Sequence, residues 1–389
     1  MPVGVFKYED CLLKHFIRRE VWLQSCKQRK NAIVAGRGRK PARRMKYFTF
    51  CAVGALDVLL LDRENIVRQS RQNEFDTVYF FHRTQEDVVE TRKRIPGAIG
   101  FPGDFIEVIL SQDATIGLAS PTNSQNTKAV RDRQRVQAQR DAFMNAFPFD
   151  VLNLDVERYF FQPKEELPGK LVAALREIFV MQTRSGNVDG QDYTVSEFTL
   201  LFTTQVGPRT MAPEHLEYLR DRCLQENINT YEELREPFLR KSGGKNVKEF
   251  FEEDFDGAFK LSVPKSLTEL ALECDWIVDA EQGLRVYQFE RDSRDGPYCM
   301  LHLAMTVRRQ DPPRQLRAPG QPINTSVEAE HRRVLGRLFS EDVISVESHV
   351  VGELRDDLEA DLGRLFEHRR RYYQESDDST SATDAEDDA

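Results

Sequence analysis

The chain has 389 residues, of which 31 % are charged and 40 % are hydrophobic, and it carries a formal net charge of −9. This length suits one large α/β domain with appendages, and this composition is ordinary for a soluble globular protein. No run of about 18 apolar residues predicts a membrane span. The N-terminus lacks a signal-peptide pattern, so we expect a cytoplasmic protein with no membrane partner.

The six cysteines form no C-x-x-C pair, and Cys51 and Cys299 lie inside apolar runs. This usage favours reduced, buried thiols and predicts no metal site.

Charge is distributed unevenly along the chain. The segment from Lys27 to Lys46 contains nine bases and no acid, whereas Glu375–Ala389 contains seven acids and no base. Glycine and proline interrupt the basic segment, which suits either a solvated linker or an arm that binds nucleic-acid phosphates. The acidic segment predicts a disordered tail over residues 375–389.

Apolar residues recur at helical spacing within Tyr8–Gln28. This periodicity predicts an amphipathic helix that packs on the domain that follows it. We therefore assign residues 1–44 to an N-terminal helix and a basic arm.

From Met45 onwards, strand-sized apolar runs alternate with helix-sized stretches. This alternation predicts a parallel sheet whose strands are joined by crossover helices. The last two runs form an apparent antiparallel hairpin. In chain order the runs are Tyr47–Val53, Thr77–Phe81, Ala98–Phe101, Val151–Leu154, Phe198–Thr203, Trp276–Val278, Leu284–Phe289 and Met300–Val307.

This order of elements resembles the class I S-adenosylmethionine-dependent methyltransferase fold, whose sixth and seventh strands form such a hairpin. The resemblance covers roughly Met45–Gln310. It implies an α/β fold with a doubly wound, mostly parallel, seven-stranded sheet that ends in a C-terminal antiparallel hairpin. We therefore expect a Rossmann-like domain over residues 45–310, with insertions near 112–145 and 241–265.

The first insertion begins with small polar residues and continues as a basic helix that includes Lys128–Arg140. This helix is either simply solvated or a second contact to nucleic-acid phosphates. The second insertion mixes acids with aromatic residues, a composition that suits a lid or a partner-docking element.

A proline-rich linker over residues 311–325 follows the predicted domain. Residues 326–374 predict a helical extension in which apolar residues are spaced at nearly heptad intervals. This extension either packs back onto the domain or binds a protein partner or a second copy of the chain.

In a doubly wound sheet, ligands bind at the carboxyl ends of the strands. The resemblance implies an acid and then glycines after the first strand, so that the backbone can approach the cofactor. Here Ala52 and Gly54 occupy the small positions, whereas Phe50 stands where the acid is expected. Ala52 and Gly54 are candidate cofactor-binding residues, with a tight strand-to-helix turn as the other interpretation of Gly54.

After the second strand, the resemblance implies a carboxylate that accepts hydrogen bonds from both ribose hydroxyls. This chain has His82 and Arg83 there. His82 is a candidate cofactor-binding residue, and Arg83 suits a phosphate or a carboxylate.

The third strand ends in Gly103-Asp104-Phe105, the closest local match to the family. The resemblance implies that Asp104 accepts from the adenine amino group and that the Phe105 backbone N–H donates to a ring nitrogen. Phe105 is also placed to flank the base. The other interpretation is that Asp104 caps the helix that follows.

After the fourth strand, Asp155 occupies the position of a catalytic or substrate-orienting residue in the family. It is a candidate catalytic and cofactor-binding residue, either as a general base or as a residue that fixes the backbone at the sheet edge. Asn153 and Glu157 share its side of the strand. The (D/N)PP(Y/F) box of amino-methylating enzymes is absent, which disfavours methylation of nucleobase amino groups.

These observations lead to two main hypotheses. The first is a divergent S-adenosyl-L-methionine-dependent methyltransferase-like protein that acts on or with nucleic acid. The second is a catalytically inactive Rossmann-like subunit, a pseudoenzyme, of a prokaryotic nucleic-acid-directed complex for antiviral defence or modification. A nucleotide-binding protein that uses Arg83 for phosphate is a third, minor possibility.

Overall fold

A computed structural model describes residues 12–35, 43–67, 74–111, 127–161, 169–188, 190–207, 211–291, 298–310 and 325–381. The chain divides into two compact units. The terminal unit consists of Met1–Asp104 and Val346–Ala389, and the central unit is Phe105–Ser345. Among the described residues, no helix combines the length and the apolar character that crossing a membrane requires.

The terminal unit has three parallel strands flanked by helices from both ends of the chain. Its strands are β1 (Tyr47–Thr49), β2 (Val78–His82) and β3 (Ile99–Pro102). Its helices are α1 (Leu12–Phe16), a π-helical segment (Ile17–Trp22), α2 (Leu23–Ala35), α3 (Leu56–Arg63), α4 (Gln85–Arg94), α14 (Val346–His349) and α15 (Gly352–Ser381). β2 lies between β1 and β3, and all three strands run in the same direction.

Aromatic packing fixes one face of this three-stranded sheet. The Phe81 ring lies 6.0 Å from that of Phe48 on β1 and 5.2 Å from that of Phe101 on β3. Gly100 lies on β3, directly before Phe101. A Cβ at this position would lie 2.5 Å from the Phe80 ring, so a residue larger than glycine would not fit. The glycine therefore lets β2 and its helix approach β3 closely.

The helices from the two ends of the chain are joined by a buried ion network around Asp361 of α15. Asp361 accepts hydrogen bonds from His15 at 3.0 Å and from Arg63 at 3.1 Å. His15 is fully buried, and Asp361 is 5 % exposed. Burial raises the pKa of Asp361, but the hydrogen bonds from His15 and Arg63 outweigh this effect and hold the pKa far below its usual range. The C-terminal helix is thus part of this unit's core.

The central unit contains the remaining strands and most of the helices. Its strands are β4 (Val151–Tyr159), β5 (Ser185–Val188), β6 (Gln191–Thr194), β7 (Glu197–Gln205), β8 (Trp276–Val278), β9 (Leu284–Arg291), β10 (Tyr298–Arg309) and β11 (Ile344–Ser345). Its helices are α5 (Phe105–Leu110), α6 (Thr127–Met144), α7 (Lys170–Met181), α8 (Pro213–Glu217), a π-helical segment (Tyr218–Gln225), α9 (Glu226–Thr230), a 3-10 turn (Glu232–Leu234), α10 (Arg235–Lys241), α11 (Val247–Glu253), α12 (Phe255–Glu273) and α13 (Thr325–Ser340).

The main sheet of the central unit is mixed. Its strand order is β11-β9-β10-β7-β4, with β8 also paired to β10, and β5 and β6 form a separate hairpin. β4 and β7 are parallel, whereas β10 is antiparallel to both β7 and β9. The reversed strand β10 therefore lies between β7, the fifth run of the predicted series, and β8 and β9, the sixth and seventh runs.

The α/β class and the final antiparallel hairpin are confirmed by the structure, since β9 and β10 pair in register from Leu284 and Met305 to Arg291 and Tyr298. The N-terminal helical prediction also agrees with the described part, α1 to α2. The expected length of the first strand was wrong, because pairing ends at Thr49 rather than Val53.

The structure contains two elements that the apolar runs do not predict. The β5–β6 hairpin turns at Gly190, whose φ is +72°. The sequence signal for this hairpin is an Asp-Gly pair between two short polar segments. The hairpin contains no long apolar run. The second element is β11, which has only two residues.

The insertion near 241–265 is mostly helical. Only a short turn around Ser242–Lys245 separates α10 from α11. Asn246 caps α11 with a capping box in which Glu249 bonds back to it, and α12 then continues to Glu273. At the other end of the chain, α15 continues to Ser381, and residues 382–389 lie outside the described ones.

A buried ion network holds α13 on α12 in the central unit. Lys265 and Glu269, one turn apart on α12, form an ion pair, and Nε2 of His331 lies 3.1 Å from Oε1 of Glu269. Lys265 is fully buried. Burial raises the pKa of Glu269, but the hydrogen bond from His331 and the charge of Lys265 outweigh it and lower the pKa to about 2.

Replacing Glu269 by glutamine should destabilise the protein strongly. The substitution leaves Lys265 buried without its carboxylate, so we expect the free energy of unfolding to fall by about 3 kcal/mol in urea denaturation. The matched control is Glu273→Gln on the same helix, whose ion pair with Arg176 is half-exposed and is worth about 1 kcal/mol or less. Equal effects of the two substitutions would contradict the network's importance.

The contribution of Glu269 to the free energy of unfolding should also depend on pH. Its folded pKa of about 2 lies below the ordinary value of 4.5, so its contribution is fully present above pH 4.5 and is lost as the pH falls toward 2. The stability difference between the wild type and Glu269→Gln should therefore shrink over this range.

Candidate functional site

The end of β1 leads through a short buried turn into α3. Cys51 and Gly54 are buried, Ala52 is exposed, and Ala55 adopts a left-handed conformation with φ +48° immediately before α3. The guanidinium of Arg94, at the end of α4, donates to the carbonyl of Val53. The two small residues predicted for cofactor contact, Ala52 and Gly54, therefore lie in a turn whose backbone is tied to the neighbouring helix.

The acid nearest to this turn is directed into the protein. Asp57 is 6 % exposed and accepts hydrogen bonds from the hydroxyls of Thr49 at 2.6 Å and Tyr47 at 3.2 Å. Its carboxylate thus joins the first and last residues of β1 to the first turn of α3. Asp57 has a structural role here and does not replace the acid that the sequence lacks at Phe50.

The end of β2 carries His82, whose imidazole is already engaged. Its Nε2 lies 2.7 Å from the hydroxyl of Thr91, a fully buried residue of α4. Burial lowers the pKa of His82, against a raising effect of Asp87. The adjacent Arg83 is exposed, and Thr84 caps α4 by accepting from the backbone N–H of Asp87.

The end of β3 is partly exposed. Gly103 has φ +124°, a conformation open only to glycine, and its N–H donates to the carbonyl of His82 at 2.8 Å. This bond brings the ends of β2 and β3 together. Asp104 follows directly and is half-exposed. Ala52, Gly54, His82 and Asp104 therefore all follow strands whose carboxyl ends lie at one edge of the terminal unit's sheet.

The other two predicted site residues belong to the central unit. Phe105 begins α5, is 8 % exposed, and packs edge-to-face on Phe143 with ring centroids 6.0 Å apart. Asp155 lies on β4 and is half-buried. It pairs in register with Thr203 of β7, and the β4–β7 ladder becomes irregular directly after it. Such irregularities redirect a strand and occur often beside functional sites.

Two polar residues beside Asp155 were missed by sequence reasoning. Thr203 and His302, which pair in register across β7 and β10, are fully buried, and their Oγ1 and Nδ1 atoms lie 2.9 Å apart. Partners in register share one face of a sheet. The signal for them was a histidine inside the apolar run Met300–Val307.

Most described bases of the segment Lys27–Lys46 have partners inside the terminal unit. Lys27 lies 3.3 Å from Glu64, and Arg44 donates to Asp76 at 2.9 Å. The ammonium group of Lys46 lies 5.0 Å from the centroid of the Tyr79 ring. Arg29, Arg43 and Lys46 are all less than 9 % exposed. The remaining predicted bases of the arm, Arg37, Arg39 and Lys40, lie outside the described residues.

The second basic segment lies on α6, a helix as expected. Arg135 is exposed, whereas the guanidinium of Arg140 donates to the carbonyl of Ile109 at 3.2 Å. Arg140 therefore contributes to packing between α5 and α6.

A cavity of about 170 Å³ lies within the central unit, among α10 to α13 and the start of β9. Its walls combine buried apolar residues such as Phe250 and Leu261 with the charged residues Lys241 and Lys260. The insertion near 241–265, which the sequence suggested as a lid or docking element, thus forms part of a pocket wall.

The terminal unit fits S-adenosylmethionine only in part. A half-exposed Asp104 beside a glycine suits the adenine amino group. His82 does not suit the ribose, because an imidazole cannot accept from two hydroxyls and its Nε2 is bonded to Thr91. Among the described residues, no cluster of histidine, cysteine and acidic side chains could hold a metal ion.

A family model described as PP_RS20740-like matches residues 13–260. This range includes the carboxyl ends of the first four strands, with Asp104 and Asp155. No curated protein and no solved structure matches the chain significantly.

Replacing Asp57 by asparagine should destabilise the turn after β1. Both hydroxyls donate to the same oxygen of Asp57, Oδ2. A neutral amide oxygen in its place is a weaker acceptor than a carboxylate oxygen, so we expect a loss of about 1–3 kcal/mol in unfolding free energy. Glu86→Gln, at an exposed position of α4, is the control and should change stability by less than about 0.5 kcal/mol. An unchanged urea midpoint for Asp57→Asn would contradict this role.

Proposed function

We propose that this chain, which belongs to the PP_RS20740-like family, is a divergent S-adenosylmethionine-dependent methyltransferase-like protein that acts on or with nucleic acid. Its fold in this proposal is a doubly wound Rossmann-like sheet of seven main strands. The site lies at the carboxyl ends of the parallel strands, where such sheets bind their ligands.

The strand order is the observation that carries the proposal. In the terminal unit the order is β3-β2-β1, all parallel. In the central unit β4, β7, β10 and β9 are neighbours in this order, with β10 reversed. Parallel strands followed by a final antiparallel hairpin are what the methyltransferase resemblance implies.

Four of the candidate residues have a role in this proposal. Asp104 accepts from the adenine amino group, the backbone at Ala52 and Gly54 lies against the cofactor, and Asp155 orients the methyl acceptor. S-adenosylmethionine supplies the methyl group when it is bound. The protein contributes mainly by holding the acceptor in line, a positioning effect that needs little acid–base chemistry.

A second candidate is a catalytically inactive Rossmann-like subunit of a prokaryotic nucleic-acid-directed complex. The bond between His82 and Thr91 favours it, because the position that would hold the ribose carries an imidazole engaged with the neighbouring helix. The burial of Asp57 also favours it, because this carboxylate near the end of β1 is engaged inside the protein. Both candidates share the fold and differ in cofactor binding.

Calorimetric titration with S-adenosylmethionine and S-adenosylhomocysteine separates the two candidates. We expect micromolar binding by the wild type and at least about tenfold weaker binding by Asp104→Ala, since a hydrogen bond to a charged group contributes about 1.5–3 kcal/mol. Glu107→Ala, at an exposed position of α5, is the control and should bind like the wild type. No heat with either ligand would reject the methyltransferase proposal and leave the inactive subunit.

Nucleic-acid binding by the arm is tested on its three bases that lie outside the described residues. Replacing Arg37, Arg39 and Lys40 together by glutamine should lower DNA or RNA affinity and reduce the slope of log K against log salt by about 2–3. Fluorescence anisotropy at several salt concentrations measures both quantities.

The control for this variant removes three bases from the central unit. Arg222, Lys245 and Lys248 each form surface ion pairs with neighbouring glutamates, so their replacement by glutamine should leave the salt slope unchanged. Equal slopes for the wild type and the arm variant would show that the arm is not the contact.

A further inference from the structure

The cavity among α10 to α13 and the start of β9 has an apolar floor. Leu284 and Val286 are two residues apart on β9, so they lie on one side of that strand. Helices supply the rest of the floor, and each of its side chains is at most 7 % exposed. The floor consists of Phe250, Leu261, Leu284, Val286 and Leu338.

The rim of the cavity is charged and lies at the protein surface. Asp254, Glu341 and Asp342 line the cavity and are exposed, whereas Lys241 and Lys260 line it and are half-buried. The apolar floor is therefore reached from solvent past exposed side chains, without any rearrangement of the core.

The volume of the cavity sets the size of a ligand. It is about 170 Å³, and an engineered apolar cavity of about 150 Å³ binds benzene. Pockets for drug-sized ligands are larger, about 300–1,000 Å³. The cavity therefore fits an apolar group of about one aromatic ring, but not a whole nucleotide.

The carboxylates of the rim are compensated within the protein. Asp254 caps α12, Glu341 accepts from Arg337, and Asp342 accepts from Lys241. The distances are 3.0 Å from the Gly257 N–H to Asp254, 2.9 Å from Arg337 to Glu341 and 2.8 Å from Lys241 to Asp342. Lys241 also donates to the carbonyl of Glu341 at 2.6 Å, so its charge is compensated too.

Lys260 is the exception among these charged groups. It lies on α12, three residues after Gly257 and directly before Leu261, and these positions share one helix face. Within the part of the chain that the structure describes, Lys260 has neither a hydrogen bond nor an ion pair. An ammonium group beside apolar walls attracts an anion more strongly than one in open water, because the local dielectric constant is lower.

We propose that this cavity binds a small monocarboxylate. The ring-sized apolar body of the ligand packs on the floor, and its carboxylate pairs with the ammonium group of Lys260. One carboxylate matches the single uncompensated charge. A phosphate dianion matches it less well, because it brings a second negative charge beside the rim carboxylates.

This site is separate from Asp155 and from cofactor binding. The cavity adjoins β9, which is three strands away from β4 in the order β4-β7-β10-β9, or about 14 Å at the usual strand spacing. S-adenosylmethionine is also too large for it. Carboxylate binding therefore does not depend on the proposed function, and either can fail without the other.

Calorimetric titration of the full chain with benzoate tests the site. We expect one benzoate per chain with a Kd of about 1 mM or lower, and at least about tenfold weaker binding by Lys260→Met. Methionine keeps most of the apolar stem and removes the charge. Lys248→Met is the matched control, because Lys248 is exposed on α11 and pairs with Glu252, and it should bind like the wild type.

Benzamide, which has the same ring and no charge, separates the ion pair from the apolar contact. It should bind the wild type more weakly than benzoate does, and it should bind Lys260→Met as it binds the wild type. Unchanged benzoate affinity in Lys260→Met, or an equal loss of affinity for both probes, would overturn the ion pair. No saturable heat at about 10 mM benzoate would overturn the site itself.

Methyl NMR of the full chain shows where the ring binds. The signals of Leu261 and Leu338, assigned by their loss in Leu261→Met and Leu338→Met, should shift with benzoate. These substitutions nearly conserve side-chain volume. The signals of Leu154 on β4, assigned in the same way, should not shift. Shifts at Leu154 without shifts at Leu261 and Leu338 would place the ligand elsewhere and contradict the proposal.

Discussion

The reversed strand β10 is the constraint on which the central unit depends. It is twelve residues long and pairs with β7 on one side and with β8 and β9 on the other. Its residues from Met300 to Met305 are buried. Because a shift of one residue would exchange its two faces, its register is strongly specified. That register sets the position of β7, and β7 in turn sets the position of the end of β4. Asp155 and His215 lie beside this end.

Three buried carboxylates of this chain are compensated by several partners each. Asp57, Glu269 and Asp361 each have two or more partners, so their burial is compensated by hydrogen bonds and charge. This compensation does not extend to every buried polar atom of the described residues, since Nδ1 of His15, Oγ1 of Thr77 and both ring nitrogens of His215 have no hydrogen-bond partner.

Folding reduces the number of charges in the basic segment that remain available to a ligand. Its sequence suggested a uniform arm, but its described bases include Lys27, Arg44 and Lys46, which bind acidic or aromatic partners within the terminal unit. Long basic side chains can bury their methylene stems while the charged ends find partners. Charge counted along the chain therefore overstates the charge that remains for nucleic acid.

The sequence by itself determined the elements whose signals are local. Apolar runs gave most strands of both units, and helical periodicity gave the N-terminal helix, because each pattern depends on neighbouring residues only. The tertiary structure alone decided which polar groups are satisfied. The partner of His15 is Asp361, 346 positions away, and Thr91 rather than a ligand engages His82. Such pairings depend on which side chains folding brings together, and no periodicity within a segment encodes them.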